Sequence, residues 1–262
     1  MKLTRHPVAV ATRAPTGTTN AYVIGDRPAA LVDPGGRTEE LDRVVRARGV
    51  EHVLVTHTHP DHTGAVGDYA NDLGATTWAL RGRERAFERA TAVEPDRTLR
   101  VGDCIRLGGG TLEVLETPGH APDHCGFLDV ETGSILVGDC VVAEGSVVVG
   151  APEGDMRAYL TTLRRLRARQ PPRLYPGHGP VVDDPQATLE RLIAHRLRRE
   201  RRIREAVAAG ARTPAAILEA AYNKDLTGVR DLARATVVAH LEKLAVEADF
   251  EWTGRRVRTR DD

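Results

Sequence analysis

Residues 56–64, THTHPDHTG, set three histidines and an aspartate into the six positions 57–62, directly behind the apolar run HVLV at 52–55. A short run rich in β-branched residues reads as a strand, so the imidazoles gather where a strand ends. His57 and His59 stand two apart, and in extended backbone they project to one side. Asp61 and His62 follow where the chain turns toward AVGDYANDLG (65–74), a helical stretch closed by glycine. Neutral imidazole and carboxylate are the donors that catalytic zinc takes. Four of them on one loop exceed what a single ion readily uses.

Working outward, further donors stand at the ends of other β-like runs: His120 after LEVLETPG, Asp139 after SILVG, and His178 after PRLYPG. Donors converging from strand ends onto one rim suit two metals that share a carboxylate. Two ions roughly 3.5–4 Å apart can hold a bridging hydroxide at neutral pH and polarise a carbonyl or phosphoryl oxygen. The isolated His6, His52 and His240 lack such company and read as surface or core residues.

Strand-like runs VAVAT (8–12), NAYVIGD (20–26) and AALVDPGG (29–36) precede an amphipathic helix, TEELDRVVRARG (38–49), with Leu41, Val44, Val45 and Arg48 at helical spacing and Gly49 as its C-cap. From 98 to 149 short strands alternate with Gly-rich turns. A helix at 155–169 and a strand at 173–175 then lead into PGHGPVV. Strands and helices around a β-meander predict an α/β fold of two sheets between outer helices. The character changes after DDPQ (183–186): helices are expected over 187–209, 213–222 and 228–248, then two short β-runs about a Thr-Gly turn. That order is the order of a winged helix. The expected domains are therefore 1–185 and 186–262.

The 262 residues balance 37 basic against 37 acidic side chains, so net charge predicts no partner, although 186–262 holds 16 basic and 12 acidic residues. Cys104, Cys125 and Cys140 are odd in number and lack CxxC spacing, which argues against a disulfide framework and for a reducing compartment. No apolar run approaches the ~20 residues of a membrane span, and the start lacks a signal-peptide core. A soluble cytoplasmic protein, without a membrane partner, is expected; the excess of arginine over lysine fits a GC-rich bacterial genome.

THTHPDH, TPGH, GDC and PGHG, in this order, resemble the successive motifs of the metallo-β-lactamase superfamily. The resemblance implies an αββα sandwich with metals at the sheet edges. It implies two Zn2+ ions, the first on His57, His59 and His120, the second on Asp61, His62 and His178, with Asp139 bridging. Mn2+ or Fe2+ would suit the same donors. Asp33 in LVDPG matches the acid that orients a ligand imidazole. Common class B β-lactamases carry a secretory signal and a cysteine in place of Asp139. Glyoxalase II-type thioesterases carry a CGHE-like motif where PGHGPVV stands here. The cap-domain nuclease branch needs an insertion for which the 38 residues between Asp139 and His178 leave no room.

The narrower resemblance is to the lactamase-beta-like-protein-two family, carried by GHAPDH, GDCVVAEGSVVV, LYPGHGPVVDDP, IAHRLRRERRI and the C-terminal winged helix. Members include a single-strand-directed endoribonuclease and microbial thioesterases, so the family implies fold more sharply than substrate. One expected substrate is single-stranded RNA, steered by Arg196, Arg198, Arg199, Arg201, Arg202 and Arg204. The other is a small thioester, ester or lactone, with the C-terminal domain as a lid that places His195 and Arg196 at the site mouth. A DNA-binding regulator would leave the metal set unexplained. Asp61, or a water on the second zinc, is expected to handle a proton and His124 to donate to the oxyanion or leaving group. Asn20 in TTNAYVIGD matches a family position near the site.

Overall fold

A computed structural model describes residues 1–223, 225–247 and 250–258. Parts of the expected C-terminal elements, Ala248, Asp249 and residues 259–262, lie outside them. The chain divides into two compact units. The first comprises Met1–Thr117, Asp123–Gly145 and Gln170–Thr188; the second comprises Pro118–Pro122, Ser146–Arg169 and Leu189–Asp262.

The first unit opens with β1 (Leu3–Ala9), β2 (Thr18–Gly25), β3 (Ala29–Val32), α1 (Glu39–Arg48), β4 (Val50–Leu54), α2 (Pro60–Thr63), α3 (Val66–Leu73), β5 (Thr76–Leu80), α4 (Glu84–Thr91) and β6 (Arg97–Leu99). These six strands form one sheet in sequential order. β7 (Cys104–Leu107), β8 (Gly110–Glu116), β9 (Cys125–Asp129), β10 (Ile135–Gly138) and β11 (Leu174–Pro176) form a second, in the order β11-β10-β9-β8-β7. The first three strands pair antiparallel; β3, β4, β5 and β6 run parallel.

Strand periodicity splits the first sheet's side chains between two cores. Tyr22, Ile24, Ala30, Val32 and Leu54 pack with Leu112, Val114, Phe127 and Leu136 of the second sheet. Their neighbours Ala21, Val23, Leu31 and Val53 pack instead with Leu41, Val45, Val66, Tyr69 and Phe87 of the helices. Helix α1 follows its sequence signals closely: the Thr38 side chain accepts from Leu41 N at 3.1 Å, and Gly49 closes the helix with φ 60°.

One strand differs from expectation. VAVAT reads as β-rich, yet β1 is Leu3–Ala9 and only Val8 of that run is fully buried. Antiparallel pairing with β2 fixes the register, Leu3 opposite Ile24 and Ala9 opposite Thr18. Residues 10–17 become the hairpin tip, tied by Val10 N to Gly17 O at 3.3 Å and Gly17 N to Ala14 O at 3.0 Å.

The second unit contains α5 (Met156–Arg169), most of α6 (Pro185–Ala208), α7 (Pro214–Ala221), α8 (Arg230–Val246) and the antiparallel pair β12 (Glu251–Trp252) and β13 (Val257–Arg258). It has its own core, in which Ile203, Ile217, Leu218, Val237, Leu241, Leu244 and Val257 are buried. Beside that core Glu200 pairs with Lys243 at 2.8 Å and lies 3.8 Å from the fully buried His240.

Candidate metal centre

The first unit gathers its donors at the C-terminal ends of strands: Asp33 after β3, His57 after β4, Asp139 after β10 and His178 after β11. Asp33 takes left-handed backbone, φ 54°, which aspartate tolerates, and its buried carboxylate organises the loop that follows β4. Oδ1 accepts from Thr56 N at 2.7 Å; Oδ2 accepts from Thr56 Oγ1 at 2.8 Å and from His62 Nδ1 at 3.1 Å. Since the Thr56 hydroxyl hydrogen points at Asp33, the His57 Nδ1 lying 3.0 Å from that oxygen must be the donor. His57 therefore keeps its Nε2 lone pair for the site, and that atom lies 2.9 Å from His59 Nδ1. Two nitrogens on one tetrahedral zinc would stand about 3.3 Å apart.

The same logic applies to the others. His178 Nδ1 donates to Thr18 O at 2.8 Å, and its Nε2 lies 3.3 Å from Asp139 Oδ2 and 3.5 Å from Asp61 Oδ2. His62 Nε2 stands 3.5 Å from Asp139 Oδ1 and makes no hydrogen bond among the described residues. His57, His62 and Asp139 each bring a donor atom within 4.8 Å of the others, and so do Asp61, His62 and His178. His120 belongs to the second unit, where its Nδ1 donates to Val148 O at 2.7 Å, which fixes the tautomer with Nε2 as the lone-pair nitrogen.

Charge makes the arrangement suitable for cations. Burial would lower the pKa of His62, but Asp139 and Asp33 outweigh it and hold the imidazole well above its ordinary value. For His178, burial is likewise overcome by Asp139 and Asp61, and the pKa rises to about 10. Burial would raise Asp61, yet His178, His62 and Thr12 bring it down to about 2. Positive charge on these two imidazoles offsets the carboxylates of Asp33 and Asp139, which are buried, and of the half-buried Asp61. Metal ions would supply the same charge on the same nitrogens.

Supporting residues that the motif reading passed over now stand out. Asp123 Oδ2 accepts from Thr58 N at 3.0 Å and from Thr58 Oγ1 at 2.6 Å, fixing the residue between His57 and His59. Asp123 sits inside the quoted GHAPDH, so its motif carried a signal. Thr12 Oγ1 donates to Asp61 Oδ2 at 2.6 Å from 49 positions upstream, for which the sequence gives no sign. His124 is buried, with Nδ1 2.8 Å from Thr117 Oγ1 and its ring 5.1 Å from that of His57. Asn20 is also buried: its amide donates to Pro176 O and Gly179 O, each at 2.9 Å, and so braces the turn that carries His178.

The remaining expected substrate residues lie on α6. His195 is half-buried. Arg196 is 2% exposed, donating to Val147 O over the Tyr159 ring. Arg199 is 9% exposed, donates to Ala221 O at 2.9 Å and stacks 3.4 Å from the Tyr222 ring centre.

Residues 14–178 match the family profile of the metallo-beta-lactamase superfamily. The chain belongs to that superfamily. Among superfamily relatives, the beta-lactamase-like protein 2 homolog of Caenorhabditis elegans is 27% identical over 198 residues, 71% of this chain and 64% of the relative. An atrochrysone carboxyl ACP thioesterase of Emericella nidulans is 29% identical over 196 residues, 71% of this chain and 59% of the relative. The chain thus spans less than two thirds of the length of either. A metallo-beta-lactamase family protein from Thermus thermophilus superposes with a TM-score of 0.78 at 26% identity, over 98% of both chains. The α/β sandwich is that of the superfamily, and His/Asp groups able to hold metal ions gather within it; no described helix is long and apolar enough to cross a membrane.

Proposed function

We propose that the protein is a hydrolase working with two bound metal ions, preferentially zinc, on a small acyl thioester, ester or lactone. The observation that carries the reading is the convergence of His57, His62 and Asp139, and of Asp61, His62 and His178, around buried carboxylates with anchored Nδ1 atoms. His57, His59 and His120 are assigned to one ion and Asp61, His62 and His178 to the other, with Asp139 shared. His120 and the division between ions rest on the family resemblance. When bound, such ions polarise a substrate oxygen and make water nucleophilic near neutral pH.

The protein's own contribution is to hold donors and move a proton. Asp33 fixes His62 through Nδ1, and Thr56 fixes His57 in the tautomer that keeps Nε2 inward. Asp61, kept ionised by its neighbours, is assigned the proton released by the attacking water. His124, at 3% exposed and engaged with Thr117, suits orientation of the His57 ring better than proton donation to a substrate. The acyl reading draws on the thioesterase relative. It also draws on the burial of Arg196 and Arg199, which removes two cations from the set assigned to RNA.

Single-stranded RNA is the second reading, favoured by one observation. Helix α5 carries Arg157, Arg164, Arg165, Arg167 and Arg169 with no acidic residue, and Arg198, Arg201 and Arg202 are exposed on α6. Such a surface suits a polyanion. We further assign residues 1–185 to the metal-binding domain and 186–262 to a winged-helix-like domain, on the order of three helices and a β-pair. The deciding experiment is a panel of acyl thioesters, esters and lactones run beside unstructured RNA, each with and without chelator. Metal-dependent turnover of an acyl substrate supports the first reading. RNA cleavage alone replaces it with the second.

A further inference from the structure

We propose that Thr12, at the tip of the β1–β2 hairpin, is a positioning residue that sets the orientation of the Asp61 carboxylate toward the second metal ion. The inference rests on the two-metal reading above. Its geometry is simple. Ala14 N donates to Thr12 Oγ1 at 3.1 Å, and Thr12 Oγ1 lies 2.6 Å from Asp61 Oδ2. A hydroxyl has one hydrogen and two lone pairs, and an ionised carboxylate only accepts. With Ala14 on a lone pair, the single hydrogen of Thr12 is directed at Asp61.

Asp61 needs such an anchor. It stands in the first turn of α2, a helix of only four residues, and the torsion that turns a carboxylate is broad, without sharp rotamer wells. Left alone, its two oxygens would exchange places around the Cβ–Cγ bond. The hydroxyl pins Oδ2 on the hairpin side while the same atom lies 3.5 Å from His178 Nε2. The hairpin tip is itself fixed by the Val10–Gly17 and Gly17–Ala14 bonds, so the anchor is rigid. The hydrogen bonds of the Thr12 hydroxyl run to Asp61 and Ala14, so the effect should fall on one ion of the two.

The test titrates metal-free protein with Zn2+ against a competing chromophoric chelator, for wild type, Thr12→Val and Thr12→Ser. Thr12→Val keeps the shape and removes the hydroxyl, on a half-buried hairpin residue. The expected result is a loss of about 10- to 100-fold in affinity for one of two ions, with the other unchanged. Thr12→Ser should restore the wild-type value. In an Asp61→Ala background, Thr12→Val should change nothing further. Two ions bound by Thr12→Val with wild-type affinities would overturn the proposal alone. A wild-type protein that takes up only one ion would overturn the two-metal reading and the proposal with it.

Discussion

Replacing Gly177 by alanine should displace two side chains proposed to bind metal, Asp139 and His62, without altering either. A Cβ at this position would meet Asp139 Oδ1 at 2.5 Å and His62 Cε1 at 2.6 Å. Ordinary contact begins near 3.4 Å, so the methyl group intrudes by about 0.9 Å on the first and about 0.8 Å on the second. Retreat is blocked on both sides: Gly177 N donates to Gly138 O at 2.9 Å, and Gly177 O accepts from Asn20 N at 2.7 Å. Backbone conformation is not the obstacle, because Gly177 is not among the glycines at positive φ. The strain must therefore move Asp139 and His62, beyond the roughly 0.5 Å that a metal site tolerates. Overpacking of this kind costs about 1–3 kcal/mol, equivalent to roughly 5- to 140-fold in affinity at tenfold per 1.4 kcal/mol. The assay is zinc competition on metal-free protein, with circular dichroism to show that the fold persists. Gly177→Ala that folds and binds two ions with wild-type affinity would refute the reasoning.

Other outcomes follow from the same geometry. His59→Ala and Asp61→Ala should each abolish hydrolysis, measured on the best substrate of the panel; near-native turnover in either would contradict the ligand assignment. Arg199→Ala should lower stability by about 1–3 kcal/mol, since a buried carbonyl loses its donor, while KM stays unchanged; urea unfolding beside steady-state kinetics separates the two effects. Burial would raise the pKa of Glu200, but His240 and Lys243 bring it to about 2, below the unfolded value near 4.3. As pH falls, the unfolded chain takes up that proton first. The stabilisation, up to about 3 kcal/mol, is thus complete above roughly pH 4.5 and is lost as pH falls toward 2. Denaturant unfolding between pH 5 and 3 should show a steeper loss in wild type than in Glu200→Gln, and equal slopes would sink the assignment.

Candidate donors were legible because residue type is local: His57, Asp139 and His178 each follow an apolar strand by a few residues, and the fold groups them with His62. Helix α1 was legible for the same reason, with Thr38 and Gly49 marking its ends. Legibility failed where a side chain's role depends on a partner far along the chain. VAVAT has the composition of a strand, but its second half is the hairpin tip that delivers Thr12 to Asp61. The arginines of α6 read alike in sequence. Burial of Arg196 and Arg199 is decided by Tyr159, Tyr222 and two carbonyls that no helical periodicity foretells.

The most direct test is anomalous diffraction from zinc-loaded crystals, collected on both sides of the zinc edge. Two peaks about 3.5–4 Å apart, one against His57 and His59 and the other against Asp61, His62 and His178, with Asp139 reaching both, are predicted. A single peak, or peaks away from these side chains, would contradict the account.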